Sequence, residues 1–99
     1  TRFITGGRMA KVEDVDLKTL GVVMEINGEV VELGAGAAVL GHPASSVAML
    51  ANMLGERGEE IPAGTFIMTG GITAAVAVKK GDNITVRYQD LGSVSAKFV

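Results

Sequence analysis

Cysteine and tryptophan are absent from the 99 residues, and histidine occurs once. Without cysteine there is no disulfide framework, no thiolate metal site and no thiol nucleophile. The missing disulfides fit a reducing compartment, so a cytoplasmic location is expected. A single histidine, His42, cannot by itself build a His-rich metal site or a His-based nucleophile system. Charge of either sign is not in excess: nine basic against eleven acidic residues leave a net charge of −2. That balance carries no electrostatic footprint for nucleic acid and no signal for an anionic membrane. One tyrosine and three phenylalanines offer little surface for stacking bases. No uninterrupted apolar run reaches the length of a membrane span, and no charged-then-apolar leader opens the chain. Neither nucleic acid nor membrane is therefore expected as a partner.

What is present points to a folded domain that leans on other protein. Hydrophobic residues make up 47% and charged residues 20%, which argues against intrinsic disorder. The length suits one domain over residues 1–99, and a chain of this size buries only about two-thirds of its unfolded surface. A mean hydropathy of +0.37 is high for so short a chain. The text also opens directly on strand-like residues, Arg2-Phe3-Ile4-Thr5. Together these features predict a fragment of something larger or an obligate oligomer.

The pattern predicts an α+β fold, dominated by a mixed β sheet or roll, with one main helix at about 43–57. A short strand over residues 1–8 leads into a polar, acidic connection from Met9 to Thr19. Runs from Leu20 to Ile26 and from Glu29 to Leu33 read as strands joined by Asn27-Gly28, the signature of a two-residue type I′ hairpin. The Gly34–Ala38 stretch suits a bend or a close backbone approach. Pro43 and Gly58 bracket the helix. Its polar stripe of Ser45, Asn52 and Glu56 is narrow, so the helix is expected to be covered on most sides. Beyond Gly58 the text reads as β throughout. Thr65–Thr69 and Ala75–Val78 read as strands, Ile84–Tyr88 and Val94–Phe98 as alternating half-buried ones.

Chemistry-bearing residues are few. His42, beside Pro43, reads first as a helix-entry or capping residue, with substrate or interface contact as the alternative. Asp14-x-Asp16 could chelate Mg²⁺ if both carboxylates faced one way, but the stretch reads as a solvated loop. Glu59-Glu60 and Lys79-Lys80 read as exposed. The most suggestive segment is Thr69-Gly70-Gly71-Ile72-Thr73: a strand ending in two glycines can present backbone N–H groups to an anion, and a hydroxyl at each end could grip a carboxylate. It lacks the Gly-Lys-Ser/Thr ending of a P-loop. These residues offer an anion-friendly loop and no complete active site.

Read in order, the Asn27-Gly28-Glu29 hairpin, Gly41-His42-Pro43, the helix Val47–Asn52, Ala63-Gly64, Thr69-Gly70, Lys80-Gly81-Asp82 and Leu91–Ser95 resemble the C-terminal portion of the fumarylacetoacetate hydrolase superfamily. The segment Phe66–Ala75 is most similar to its hydratase/decarboxylase branch. That resemblance implies a Mg²⁺ or Mn²⁺ ion held by a Glu-x-Glu pair and a third acid, all upstream of the matched region. No Glu-x-Glu occurs here, so no metal ligand is assigned, and no catalytic residue either, since the branch's lysine also lies upstream. It further implies that Thr69, Gly70, Gly71, Ile72 and Thr73 line the pocket for a small 2-oxo acid. The implied reaction is decarboxylation of 2-oxohex-3-enedioate to 2-hydroxypenta-2,4-dienoate in aromatic catabolism, with the metal as Lewis acid and electron sink. A homo-oligomer is expected, with a hydratase as candidate partner. Three alternatives stand beside this reading: a 2-hydroxypenta-2,4-dienoate hydratase of the same family, a noncatalytic scaffold fragment, and a small β-barrel binding domain.

Overall fold

The computed structural model describes residues 2–99. Four strands, β1 (Gly21–Ile26), β2 (Glu29–Ala35), β3 (Asn83–Tyr88) and β4 (Gly92–Lys97), accompany one helix, α1 (Pro43–Gly55). Short 3-10 turns sit at Val12–Asp14 and Gly36–Ala38. The sheet runs in the order β2-β1-β3-β4, with every neighbouring pair antiparallel. The α+β architecture with one main helix is the expected one; where a mixed sheet was expected, the strands here are antiparallel throughout.

The Asn27-Gly28 hairpin forms as predicted. Both residues hold positive φ, 52° and 87°, the backbone that a type I′ turn demands, and Ile26 pairs with Glu29 to close a two-residue loop. One step further, Glu25 faces Val30 while Met24 faces Glu32, leaving Val31 as the extra residue of a bulge. Pairing places Val22, Met24, Ile84, Val86, Val94 and Ala96 on one face. On the other, Arg87 Nε meets Glu25 Oε1 at 3.3 Å, and the Thr85 and Ser95 hydroxyls lie 3.0 Å apart.

Helix α1 starts where the sequence says it should. The imidazole Nδ1 of His42 accepts a hydrogen bond from the Ala44 N–H at 3.0 Å, and Pro43 fills the first helical position. At the far end the Gly58 N–H donates to the Gly55 carbonyl and the Glu59 N–H to Leu54, at 3.0 and 2.9 Å. With Gly58 at φ +73°, this is a Schellman closure. The expected cover is missing, however. No residue of α1 is buried, and Met49 and Met53 stand 51% and 50% exposed. The apolar faces call for packing that residues 2–99 do not supply.

The stretch Gly36–Gly55 is, by length and composition, long and apolar enough to cross a membrane. Consecutive positive φ values at Leu40 and Gly41 interrupt it. What remains is a 13-residue helix of about 20 Å, shorter than the roughly 30 Å of a bilayer's hydrocarbon core.

Three expected strands are not hydrogen-bonded ladders here. Residues 2–8 run without regular structure, and Thr1 lies outside the described residues. Thr65–Thr69 and Ala75–Val78 likewise carry no strand pairing. Their β-forming side chains set a preference, but a strand exists only where a neighbour accepts its backbone groups. The buried apolar core is small: Leu20, Val22 and Val39. It sits where β1 meets the turn that feeds α1.

Candidate functional site

The segment Thr69–Thr73 crosses the apolar face of the sheet directly over Gly34 of β2. A Cβ at Gly34 would stand 2.9 Å from the Ile72 carbonyl oxygen and 3.3 Å from both Ile72 Cγ1 and Thr73 Cγ2. Only a glycine leaves room for this approach, which is the close backbone passage read from the Gly34–Ala38 stretch.

The crossing divides the face into two clefts. Thr69, Gly70 and Ile72 line one of about 230 Å³, together with Leu20, Val22, Val39, Pro43 and Tyr88. Gly71 and Thr73 line the other, of about 520 Å³, over Met24, Ile84, Val86, Val94 and Ala96. Thr69 and Thr73 thus line different clefts, on either side of the crossing. Thr73 Oγ1 donates to the Ala74 carbonyl at 3.1 Å. Tyr88 and Pro43 join Thr69 in the smaller cleft. Sequence reasoning placed both as structural, because neither is near Thr69 along the chain.

Gly70 has φ +104°, and the N–H groups of Gly70, Gly71 and Ile72 donate to no protein acceptor among the described residues. At the helix side, Ser46 Oγ donates to the Thr69 carbonyl at 3.2 Å. The smaller cleft offers N–H donors and the hydroxyl-bearing side chains of Thr69 and Tyr88 against apolar walls, suited to holding the carboxylate of a small acid. Apart from Tyr88, none of its lining side chains is an acid or a base.

The remaining candidates have structural duties. His42 caps α1, as its position beside Pro43 suggested. Asp16 Oδ1 accepts from the Lys18 and Thr19 N–H groups at 3.1 and 3.3 Å. Its pKa is lowered, first by the Thr19 hydrogen bonds and then by the Lys18 N–H. Among the described residues no three His, Cys, Asp or Glu side chains gather as a metal cage. Glu59 and Glu60 are exposed, as read.

Comparison with known proteins gives this geometry its context. The chain is 87% identical over all 99 residues to a 4-oxalocrotonate decarboxylase of Pseudomonas putida, and covers 38% of that protein. It is 42% identical over 96 residues to a 2-oxo-hept-4-ene-1,7-dioate hydratase of Escherichia coli, covering 36% of it. Among solved structures, the 4-oxalocrotonate decarboxylase of Pseudomonas putida G7 complexed with magnesium and adipate superposes with a TM-score of 0.95 at 85% identity. The match takes in all of this chain and 38% of that one. The chain thus spans little more than a third of the length of the decarboxylases it matches. A family model described as fumarylacetoacetate (FAA) hydrolase C-terminal matches residues 3–99, and the chain belongs to that family.

Proposed function

We propose that these residues form the C-terminal part of a carboxy-lyase that decarboxylates 2-oxohex-3-enedioate, with Thr69–Thr73 as the part of the pocket that holds the substrate. The observation that carries this reading is the 87% identity, over every residue of the chain, to a 4-oxalocrotonate decarboxylase. The hydratase from Escherichia coli stands at 42%.

In this reading the chain positions the substrate and does not perform the bond-breaking. Thr69 and the Gly70 N–H hold a carboxylate of the diacid, Ile72 and Tyr88 wall its carbon chain, and Gly71 and Thr73 support the loop from behind. Holding a flexible diacid in one conformation removes orientational freedom before reaction, which lowers the barrier without any chemical step. The Pseudomonas putida G7 relatives were solved with magnesium or calcium. No three His, Cys, Asp or Glu side chains gather among the described residues, and the reading takes the metal's carboxylate ligands from outside them. Homo-oligomerisation, and association with a hydratase, belong to the same reading; exposed apolar side chains support the first.

The test uses the full-length enzyme. Thr69→Val removes the hydroxyl at nearly constant volume and is expected to raise KM or lower kcat several-fold. Unchanged kinetics would remove Thr69 from the pocket. Assaying the oxo diacid and 2-hydroxypenta-2,4-dienoate side by side decides between decarboxylase and hydratase.

A further inference from the structure

We infer that Ser46 is a positioning residue for the substrate loop: its hydroxyl sets the plane of the Thr69–Gly70 peptide and so the direction in which Gly70 presents its N–H. The inference rests on the reading of Thr69–Thr73 as the loop that holds the substrate.

Ser46 lies in the first turns of α1, four residues after the His42 cap. That end of the helix is capped by two local hydrogen bonds: the His42 imidazole accepts from the Ala44 N–H, and the His42 carbonyl accepts from the Ser45 N–H. From this fixed point Ser46 Oγ reaches across 23 residues of sequence to the Thr69 carbonyl, 3.2 Å away and partly buried. The described backbone has no cis peptide, and in a trans peptide the C=O and the following N–H point to opposite sides. A carbonyl drawn toward the helix therefore turns the Gly70 N–H away from it.

The loop's other end is held by a different device. Ile72 and Thr73 rest on the bare backbone of Gly34, at 2.9 and 3.3 Å from where a side chain would begin. Between these anchors lie Gly70 and Gly71, whose N–H groups have no protein acceptor among the described residues. Gly70, at φ +104°, would otherwise swing readily. One hydroxyl on a capped helix and one flat glycine floor thus hold an otherwise permissive loop in one conformation. Serine at position 46 is not required by the helix itself, where alanine is the better helix former.

The experiment compares Ser46→Ala, Ser46→Thr and Gly70→Ala in the full-length, metal-loaded enzyme. It reads kcat, KM, the affinity for adipate as an unreactive diacid, metal affinity and thermal midpoint. Loss of one neutral hydrogen bond predicts that Ser46→Ala weakens adipate and raises KM roughly three- to tenfold. KM should change more than kcat, with metal affinity and thermal midpoint near those of the parent. Ser46→Thr, which keeps the hydroxyl, should recover most of the loss. If Ser46→Ala binds adipate as the parent does while Gly70→Ala binds it weakly, the positioning role falls and the loop reading stands. Should Gly70→Ala also leave adipate binding intact, the loop reading itself falls. A loss in Ser46→Ala that Ser46→Thr does not restore, or that follows a lowered thermal midpoint, overturns the inference in favour of a purely structural role.

Discussion

Asp82 shows how one side chain ties the sheet's two hairpins together. It is the one buried charged residue among those described, 6% exposed, and both of its carboxylate oxygens are used. Oδ2 accepts from the Lys79 N–H at 3.0 Å, and Oδ1 from the Asn27 side-chain amide at 3.1 Å. Asn27 returns the contact through its Oδ1, which accepts from the Asn83 N–H at 2.9 Å. The turn before β3 is thereby pinned to the β1–β2 hairpin. The Lys79 N–H, and after it the Asn27 amide, hold the Asp82 carboxyl below its ordinary pKa. A carboxyl with a lowered folded-state pKa stabilises the fold above its unfolded value, and that contribution is lost as pH falls through the folded one. Acid unfolding of the full-length protein should therefore begin at higher pH in Asp82→Asn, whose amide cannot accept from both donors as a carboxylate does. Coincident acid-unfolding curves, followed by circular dichroism, would show that the clasp contributes nothing.

At the scale of elements, local signals were legible where the partner was local. Asn27-Gly28 specified its hairpin because both turn residues tolerate positive φ, and Pro43 and Gly58 marked the helix by their backbone limits. The alternation from Ile84 to Tyr88 and from Val94 onward named β3 and β4, whose partners lie a short turn away. The glycine pair at 70–71 likewise marked the candidate site. Ser46 and Tyr88 did not stand out, because a hydrogen bond or a shared cleft across 20 residues leaves no periodic trace. Thr65–Thr69 and Ala75–Val78 have strand composition, but no N–H from Phe66 to Val78 finds an acceptor in the described residues. Backbone donors are seldom left unpaired in a folded interior. In the full-length protein the amides of 66–69 and 75–78, outside the Gly70–Ile72 loop, are accordingly expected to exchange slowly, as members of a ladder completed by polypeptide outside these residues. Fast exchange over 66–69 and 75–78 in the full-length protein would mean the segments are loops after all. The cap of α1 makes a smaller claim at the same scale. His42→Ala should cost on the order of 1 kcal/mol of helix stability, visible as faster exchange at Ala44 and Ser45, while His42→Asn should retain most of it.

For the whole molecule, surface and shape both indicate missing cover. A folded monomer of this mass exposes about 5,300 Å², whereas this chain exposes 7434 Å². The excess, roughly 2,000 Å², is the size of an obligate interface. Its Cα radius of gyration is 15.2 Å, against about 13 Å for a compact domain of 100 residues. The exposed side chains are those an interior would use: Leu33 is 66% exposed, Phe66 79% and Met68 74%. The one aromatic neighbour of Phe66 among the described residues is Phe3, itself exposed, with ring centroids 6.0 Å apart. Three buried apolar side chains cannot offset the ordering entropy of nearly a hundred residues, at about 1–2 kcal/mol each for the backbone alone. Expressed by itself, the 99-residue chain should bind a hydrophobic dye, self-associate and lack a cooperative thermal transition. The full-length protein should show a sharp transition and little dye binding. A monomeric 99-residue chain with a sharp transition would mean that the sheet and helix are self-sufficient, and that the exposed methionines and phenylalanines serve contacts other than the parent's own interior.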